Sequence, residues 1–187
     1  IGFEESKKVI QELIKQGIGP DKDPLFLVDG NLSNTLGKGL PEGALEGTMG
    51  TLPGAEASDV FQQDLLKVDP KLEDFAYAPE SYDAVMVSAL GAIAGKDDSG
   101  PGIASKLVEI TSGGEPCDTF EECKKFLEDG KDIDYNGQSG PIDFQDNGDP
   151  GMAVMGVYKF QKDNTYISDQ FIEGTVPPAT EASPASS

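Results

Sequence analysis

The stretch DIDYNGQSGPID at residues 132–143 has the residue types of a calcium-binding loop. Its first six residues satisfy the pattern D-x-[DN]-x-[DN]-G, in which oxygen ligands alternate around a turn that glycine permits. An EF-hand loop, however, is followed by a helix and closed by a bidentate glutamate. Here the closing acid is the shorter Asp143, and Gly140 and Pro141 precede an alternating stretch. The EF-hand is therefore rejected and no metal-ligating residue is assigned, with a calcium site of another kind as the alternative.

A second acid, Asp29, directly follows the apolar run LFLV at residues 25–28. A continuous apolar run of this length predicts a strand buried on both faces of a parallel sheet. Open α/β sheets bind ligands at the carboxyl ends of their strands, so a carboxylate there can receive an ammonium group. The alternative is that Asp29 only forms an Asx turn as the chain leaves the strand.

The composition argues against several classes of function. The sequence contains no histidine, which removes the commonest general base and the Ser-His and Cys-His nucleophile pairs. No glycine-rich phosphate loop has the required spacing. The net charge of -20, from 34 acidic and 14 basic residues, repels phosphate backbones. We therefore expect no enzymatic activity, no cofactor and no nucleic-acid partner.

Helical and strand patterns alternate along the first two thirds of the chain. Three-and-four spacing of apolar residues predicts helices at 4–17, from Ser58, at 79–94, at 102–111 and, from a Thr119–Glu122 capping box, after residue 119. The stretch 47–54 predicts a strand that ends at Pro53. After residue 130, alternating stretches between Asn-, Asp- and Gly-rich turns predict a β-rich part. The order of elements indicates an α/β fold.

The two cysteines, Cys117 and Cys123, lie in CDTFEEC without the C-x-x-C spacing of redox or zinc sites. In an oxidising compartment we expect them to form a disulfide, with two free thiols as the alternative. Closing so short a loop contributes roughly 2 kcal/mol by the chain-entropy model.

Four segments together carry a family resemblance: LVDGNLSN, LEGTMGTLPGA, YAPESYDAVMVSALGAIA and CDTFEECKKFLEDGKDIDYNGQSGPIDFQDNGDP. Over about residues 1–176 the chain resembles the C-terminal half of branched-chain amino-acid-type substrate-binding proteins of ABC importers, the type I periplasmic-binding-protein fold. The paired cysteines resemble those of Gram-positive lipoproteins in this family. The resemblance thus implies an extracytoplasmic, membrane-anchored lipoprotein that serves a membrane permease.

The resemblance also implies a domain organisation. The family has two α/β lobes that are joined by three crossing strands and close over the ligand by a hinge. Residues 1–52 would belong to the second lobe, 53–150 to the first lobe and 151–176 again to the second, with 177–187 as a flexible tail.

The ligand site follows from the same resemblance. Asp29 matches the carboxylate that holds the ligand's α-ammonium, although the family often has glutamate there, and Tyr77 matches an aromatic position that packs on the ligand. Gly30, Asn31 and Glu80 are further candidates near these two. The implied ligand is an amino acid or a similar small molecule.

The family grips the ligand carboxylate with residues of an N-terminal half that is absent from this sequence. The chain begins at Ile1 without a Met, so we expect it to be a fragment, with weak ligand binding and a tendency to self-associate through exposed sheet edges. Two other functions remain open. One is a ligand-sensing module of a receptor or regulator, and the other is a calcium-dependent structural or adhesion module.

Overall fold

The structure, a computed structural model, describes residues 5–20, 22–54 and 56–177. These residues form a mixed α/β protein, which confirms the predicted class. Within them the helices are α1 (Glu5–Lys15), α2 (Asp59–Val68), α3 (Ala78–Gly95), α4 (Gly100–Ala104), α5 (Leu107–Ile110) and α6 (Phe120–Glu128). The strands are β1 (Phe26–Leu27), β2 (Met49–Pro53), β3 (Glu115–Cys117), β4 (Ile133–Gly137), β5 (Gly140–Pro141), β6 (Met152–Phe160) and β7 (Tyr166–Thr175). Apart from Pro177, the predicted tail lies outside the described residues.

The chain divides into two compact units. Among the described residues, unit 1 comprises 5–20, 22–54, 65–76 and 154–172, and unit 2 comprises 56–64, 77–153 and 173–177. The polypeptide therefore passes from one unit to the other several times. The lobe boundaries implied by the family resemblance stay a prediction.

Unit 1 is built on a four-stranded sheet with the order β1-β2-β6-β7. Strand β1 runs parallel to β2 with Leu27 opposite Gly50, and β2 runs antiparallel to β6 with Leu52 opposite Gly156. The apolar face of α1 contributes Ile10, which is 2% exposed. The buried core of unit 1 consists of Ile10, Leu27, Leu32, Leu36, Leu45, Leu52 and Phe160.

The prediction that the 25–28 strand is buried on both faces was wrong. Strand β1 has two residues and lies at the edge of its sheet, where it pairs with β2 alone. Leu27 is buried, but Phe26 and Val28 are 79% and 58% exposed. The apolar run identified a parallel strand correctly, but composition does not distinguish an edge strand from a central one.

The turn between β6 and β7 is tied to the loop before β2 by one side chain. Asn164 is buried, with a left-handed backbone (φ 63°) that asparagine tolerates. Its Oδ1 accepts a hydrogen bond from the Leu45 amide at 3.0 Å, and its Nδ2 donates to the Pro41 carbonyl at 2.8 Å. A Cβ atom at Gly37 would overlap Asn164, so a glycine is required there. These contacts hold the irregular loop before β2 in place.

Unit 2 contains a three-stranded sheet with the order β3-β4-β5, packed with α3 and α6. Strands β3 and β4 are parallel, and β4 and β5 are antiparallel. Helix α3 matches the long helix predicted at 79–94, and its Leu90 is fully buried. The core of this unit consists of Met86, Val87, Leu90, Ile110, Cys117, Cys123, Ile133 and Tyr135.

Two details of the predicted helices in unit 2 differ from the structure. The helix expected at 102–111 is divided into α4 and α5, and α4 begins earlier because Ser99 Oγ accepts a hydrogen bond from the Gly102 amide. The three-and-four spacing of α3 predicts a buried stripe that includes Tyr82 and Val85, but the observed stripe is rotated away from them. Val85 is 69% exposed and Tyr82 is 39% exposed, whereas Asp83 is 3% exposed.

Candidate functional site

Asp29 and its two successors lie together in unit 1, at the carboxyl end of β1. Residues Asp29–Asn31 form a short 3-10 turn. Asn31 closes this turn because its Oδ1 accepts a hydrogen bond from the Val28 amide at 2.9 Å. The Gly30 amide donates to Asp29 Oδ1 at 2.7 Å. This arrangement leaves the Asp29 residue exposed to solvent at the position expected for a ligand-binding group.

A cavity of about 250 Å³ lies beside this turn within unit 1. Its walls combine one carboxylate, one amide side chain, two hydroxyls and apolar groups. The lining residues are Asp29, Gly30, Asn31, Leu32, Ser33, Thr35 and Leu36. None of them carries a positive charge, so the cavity suits a cationic or neutral group and disfavours an anion.

The hydroxyl groups of the cavity are held by one another and by the backbone. Ser33 Oγ and Thr35 Oγ1 lie 2.9 Å apart, and the Thr35 amide donates to Ser33 Oγ at 3.1 Å. These two residues were not among the predicted site residues. Their signal was their position, since they directly follow the DGNL segment after a parallel strand.

Tyr77 and Glu80, the other predicted site residues, lie together in unit 2 at the start of α3. Tyr77 precedes the helix with a left-handed backbone (φ 59°, ψ 8°), which is uncommon for an aromatic residue and costs conformational energy. The tyrosine is 40% exposed. Glu80 is in the first turn, where a carboxylate is favoured by the helix dipole. The predicted site residues are thus divided between the two units.

A second carboxylate, Asp83, lies deep in unit 2 and receives four hydrogen bonds. Its Oδ1 accepts from Tyr135 Oη at 2.8 Å and from the Gln138 amide at 2.9 Å. Its Oδ2 accepts from both the amide and the hydroxyl of Ser139, at 2.7 and 2.5 Å. These donors all come from β4 and the turn after it. Asp83 therefore fixes the DYNGQSG segment to α3.

The surroundings of Asp83 constrain its neighbours. A Cβ atom at Gly137 would overlap the Asp83 carboxylate, so only glycine fits there. Burial and the contact with Asp83 raise the pKa of the Tyr135 phenol, which keeps its proton for the hydrogen bond. The segment that resembled a calcium loop is thus held by an internal carboxylate. This role of Asp83 was not predicted, although Asp83 shares the three-and-four spacing of Met86, Val87 and Leu90 on the buried face.

The predicted disulfide between Cys117 and Cys123 is confirmed. Their Cα atoms lie 5.4 Å apart, and the bond joins the end of β3 to α6. Both residues are buried in the core of unit 2, at 4% and 0% exposed. Thr119, between them, caps α6 through its Oγ1, which accepts from the Glu122 amide at 3.4 Å. The bond thereby anchors the first turn of α6.

Metal and membrane features can be stated for the described part of the chain. There, no group of three or more His, Cys, Asp or Glu residues is arranged to hold a metal ion. Across residues 5–20, 22–54 and 56–177, no helix is both long enough and apolar enough to cross a bilayer.

No protein-family model matches the sequence, and none of the curated proteins is similar to it at a significant level. The family suggested by the residues therefore stays a prediction, and the function has to be argued from the chemistry of the site.

Proposed function

We propose that this chain is part of an extracytoplasmic solute-binding protein of the type I periplasmic fold, which delivers a small ligand to an ABC importer without catalysis. The observation that carries the proposal is the cavity at the carboxyl end of β1, where Asp29 lies beside hydroxyl and apolar groups. Such a position is where α/β sheets bind small molecules. The ligand is an amino acid or a similar molecule with an ammonium group.

The division of the chain supports this proposal. Two α/β units with several passages of the chain between them are what a protein with two lobes and crossing strands requires. The disulfide supports an oxidising, extracytoplasmic location, since structural disulfides rarely persist in the cytosol. The family resemblance supplies the remaining assignments, including Tyr77 as the aromatic contact of the ligand and the permease as a partner.

The chemistry of the cavity sets the expected ligand class. A carboxylate that receives an ammonium group out of water forms a charge-assisted hydrogen bond, worth about 2 to 3 kcal/mol. Leu32 and Leu36 offer apolar area for the ligand's side chain. By the resemblance, the ligand's carboxylate is bound by residues of a further α/β half. We therefore expect the 187-residue chain alone to bind weakly.

A thermal-shift screen of the full-length encoded protein tests this function. We expect stabilisation by amino acids and small amines, and none by matched compounds in which a hydroxyl replaces the ammonium group. In the Asp29→Ala variant the stabilisation should be lost, while Asp23→Ala, which changes an exposed acid of the preceding turn, should keep it. Stabilisation that does not require the ammonium group, or that survives in Asp29→Ala, would refute the role of Asp29.

A further inference from the structure

The sequence contains two Asn-Gly pairs, Asn136–Gly137 and Asn147–Gly148, and both lie in unit 2. Glycine after asparagine leaves the backbone nitrogen unobstructed by a side chain, so this nitrogen can attack the asparagine side chain. We propose that Asn147 is a site of spontaneous deamidation and that the fold protects Asn136. This inference is independent of the proposed transport function.

The reaction at Asn147 needs only water. The Gly148 nitrogen loses its proton to solvent and forms a bond to Asn147 Cγ, giving a tetrahedral intermediate with a negative Oδ1. The bond between Cγ and Nδ2 then breaks, and Nδ2 takes a proton from water and leaves as ammonia. Water opens the resulting succinimide ring to aspartate or isoaspartate. The sum is one amide and one water converted to one carboxylic acid and one ammonia.

Two hydrogen bonds with Asp149 fix the side chain of Asn147, and one of them bears on the reaction. The Asp149 amide donates a hydrogen bond to Asn147 Oδ1 at 3.0 Å, so a donor already points at the oxygen on which negative charge develops. Nδ2 donates to the Asp149 carboxylate at 2.7 Å, which fixes the plane of the side-chain amide. These two contacts hold the reacting carbonyl in one orientation.

The attacking nitrogen becomes available when the turn opens. The Gly148 amide donates to the Gln145 carbonyl at 2.8 Å, and this hydrogen bond must break before the proton is lost. Residues 146–150 are exposed, and Gly148 has a left-handed backbone (φ 86°) in a turn outside the strands. Hydrogen bonds of exposed turns open at low free energy, so the reactive state is readily populated.

Asn136 meets opposite conditions in β4. Gly137 is paired with Gly140 in the strand ladder and packs directly against the Asp83 carboxylate. Releasing this segment requires breaking the four hydrogen bonds that Asp83 accepts from Tyr135, Gln138 and Ser139. The Asp83 cluster therefore protects the first pair by holding its backbone in place.

Conversion at Asn147 changes the turn that precedes β6. It adds one negative charge beside Asp146 and Asp149 in a chain that already carries a net charge of -20. The isoaspartate product also adds an atom to the backbone of the turn. The pair thus marks a place where the protein changes its charge and local geometry with age.

Fragment-ion mass spectrometry of the aged, folded chain tests the inference, because both pairs lie between Lys131 and Lys159 and are measured in one peptide. We expect Asn147 to convert at least about tenfold faster than Asn136, as a difference of 1.4 kcal/mol in opening free energy requires. In denaturant the difference should shrink, and Asn147→Gln should abolish the fast conversion. Equal rates in the folded chain, faster conversion at Asn136, or a ratio unchanged by denaturant would overturn the proposal.

Discussion

Asp29 follows strand β1 in unit 1 and Asp83 lies within helix α3 in unit 2, and the two aspartates differ in burial and in hydrogen bonding. Asp83 is 3% exposed and accepts four hydrogen bonds from one segment of its own unit. Asp29 is exposed beside a cavity and accepts from the neighbouring Gly30 amide. A buried carboxylate that accepts four hydrogen bonds from one segment stabilises a fold, whereas an exposed carboxylate beside a cavity can bind a ligand.

Replacing each aspartate by alanine should show this difference most strongly. Asp83→Ala should lower the free energy of unfolding by about 4 kcal/mol, because it leaves buried donors of β4 and its turn without an acceptor. Asp29→Ala should lower it by no more than about 1 kcal/mol, as expected for an exposed position. Urea unfolding followed by circular dichroism measures both values. A cost for Asp29→Ala as large as that for Asp83→Ala would abolish the distinction.

Gly137 offers a second test of the Asp83 cluster. Gly137→Ala should destabilise the protein by about 3 kcal/mol, since the added methyl group overlaps the Asp83 carboxylate. The matched control is Gly100→Ala at the start of α4, where an added Cβ atom meets no neighbour within 4 Å. The control should stay within about 0.5 kcal/mol of the wild type in the same urea titration. Similar costs for the two variants would show that Gly137 is not packed as described.

The disulfide is expected to stabilise unit 2 by an intermediate amount. Replacing Cys117 and Cys123 together by alanine should lower the free energy of unfolding by about 2 kcal/mol, from the loss of a short closed loop in the unfolded chain. Reduction of the wild type should have a similar effect on the urea midpoint. If the midpoint does not move under either condition, the cross-link does not restrict the unfolded chain as proposed.

Tyr135 gives the smallest effect and a distinctive pH dependence. Tyr135→Phe should cost about 1 kcal/mol at neutral pH through the lost hydrogen bond to Asp83. Because the folded-state pKa of Tyr135 is raised, the unfolded chain loses this proton first, from a pH of about 10 upward. Stability should therefore fall as pH rises above that value, and this part of the decline should be absent in Tyr135→Phe. An identical alkaline decline in both proteins would contradict the raised pKa.

The sequence predicted the elements with long, regular patterns. The helices α1 and α3, the strands β6 and β7 and the disulfide all agree with the structure, although the buried stripe of α3 is rotated from the predicted one. The exposure of Phe26 and the break between α4 and α5 could not be predicted from the pattern of one element alone. The first depends on the position of β1 at the edge of its sheet, and the second depends on Ser99 as a cap. Such contacts between an element and its neighbours are not specified by the local apolar pattern.

The candidate site was predicted only in part, because the local sequence does not specify which residues become neighbours. Asp29, Gly30 and Asn31 could be selected because the end of a parallel strand is a recurrent ligand position. Ser33 and Thr35 were missed because nothing in their types distinguishes a cavity wall from a loop. Asp83 was missed although an acid on the buried stripe of an apolar helix is a signal in itself, since a buried charge requires donors. A pattern search that flags such acids would have found it.

The central claim is that Asp29 is the counter-charge of a ligand's ammonium group. Calorimetric titration of the full-length protein with the best amino-acid ligand, for wild type and for Asp29→Ala, tests it most directly. We predict that the variant binds about 30- to 150-fold more weakly, which corresponds to a loss of about 2 to 3 kcal/mol, while Asp23→Ala binds as the wild type does. Equal affinities of wild type and Asp29→Ala would contradict the claim.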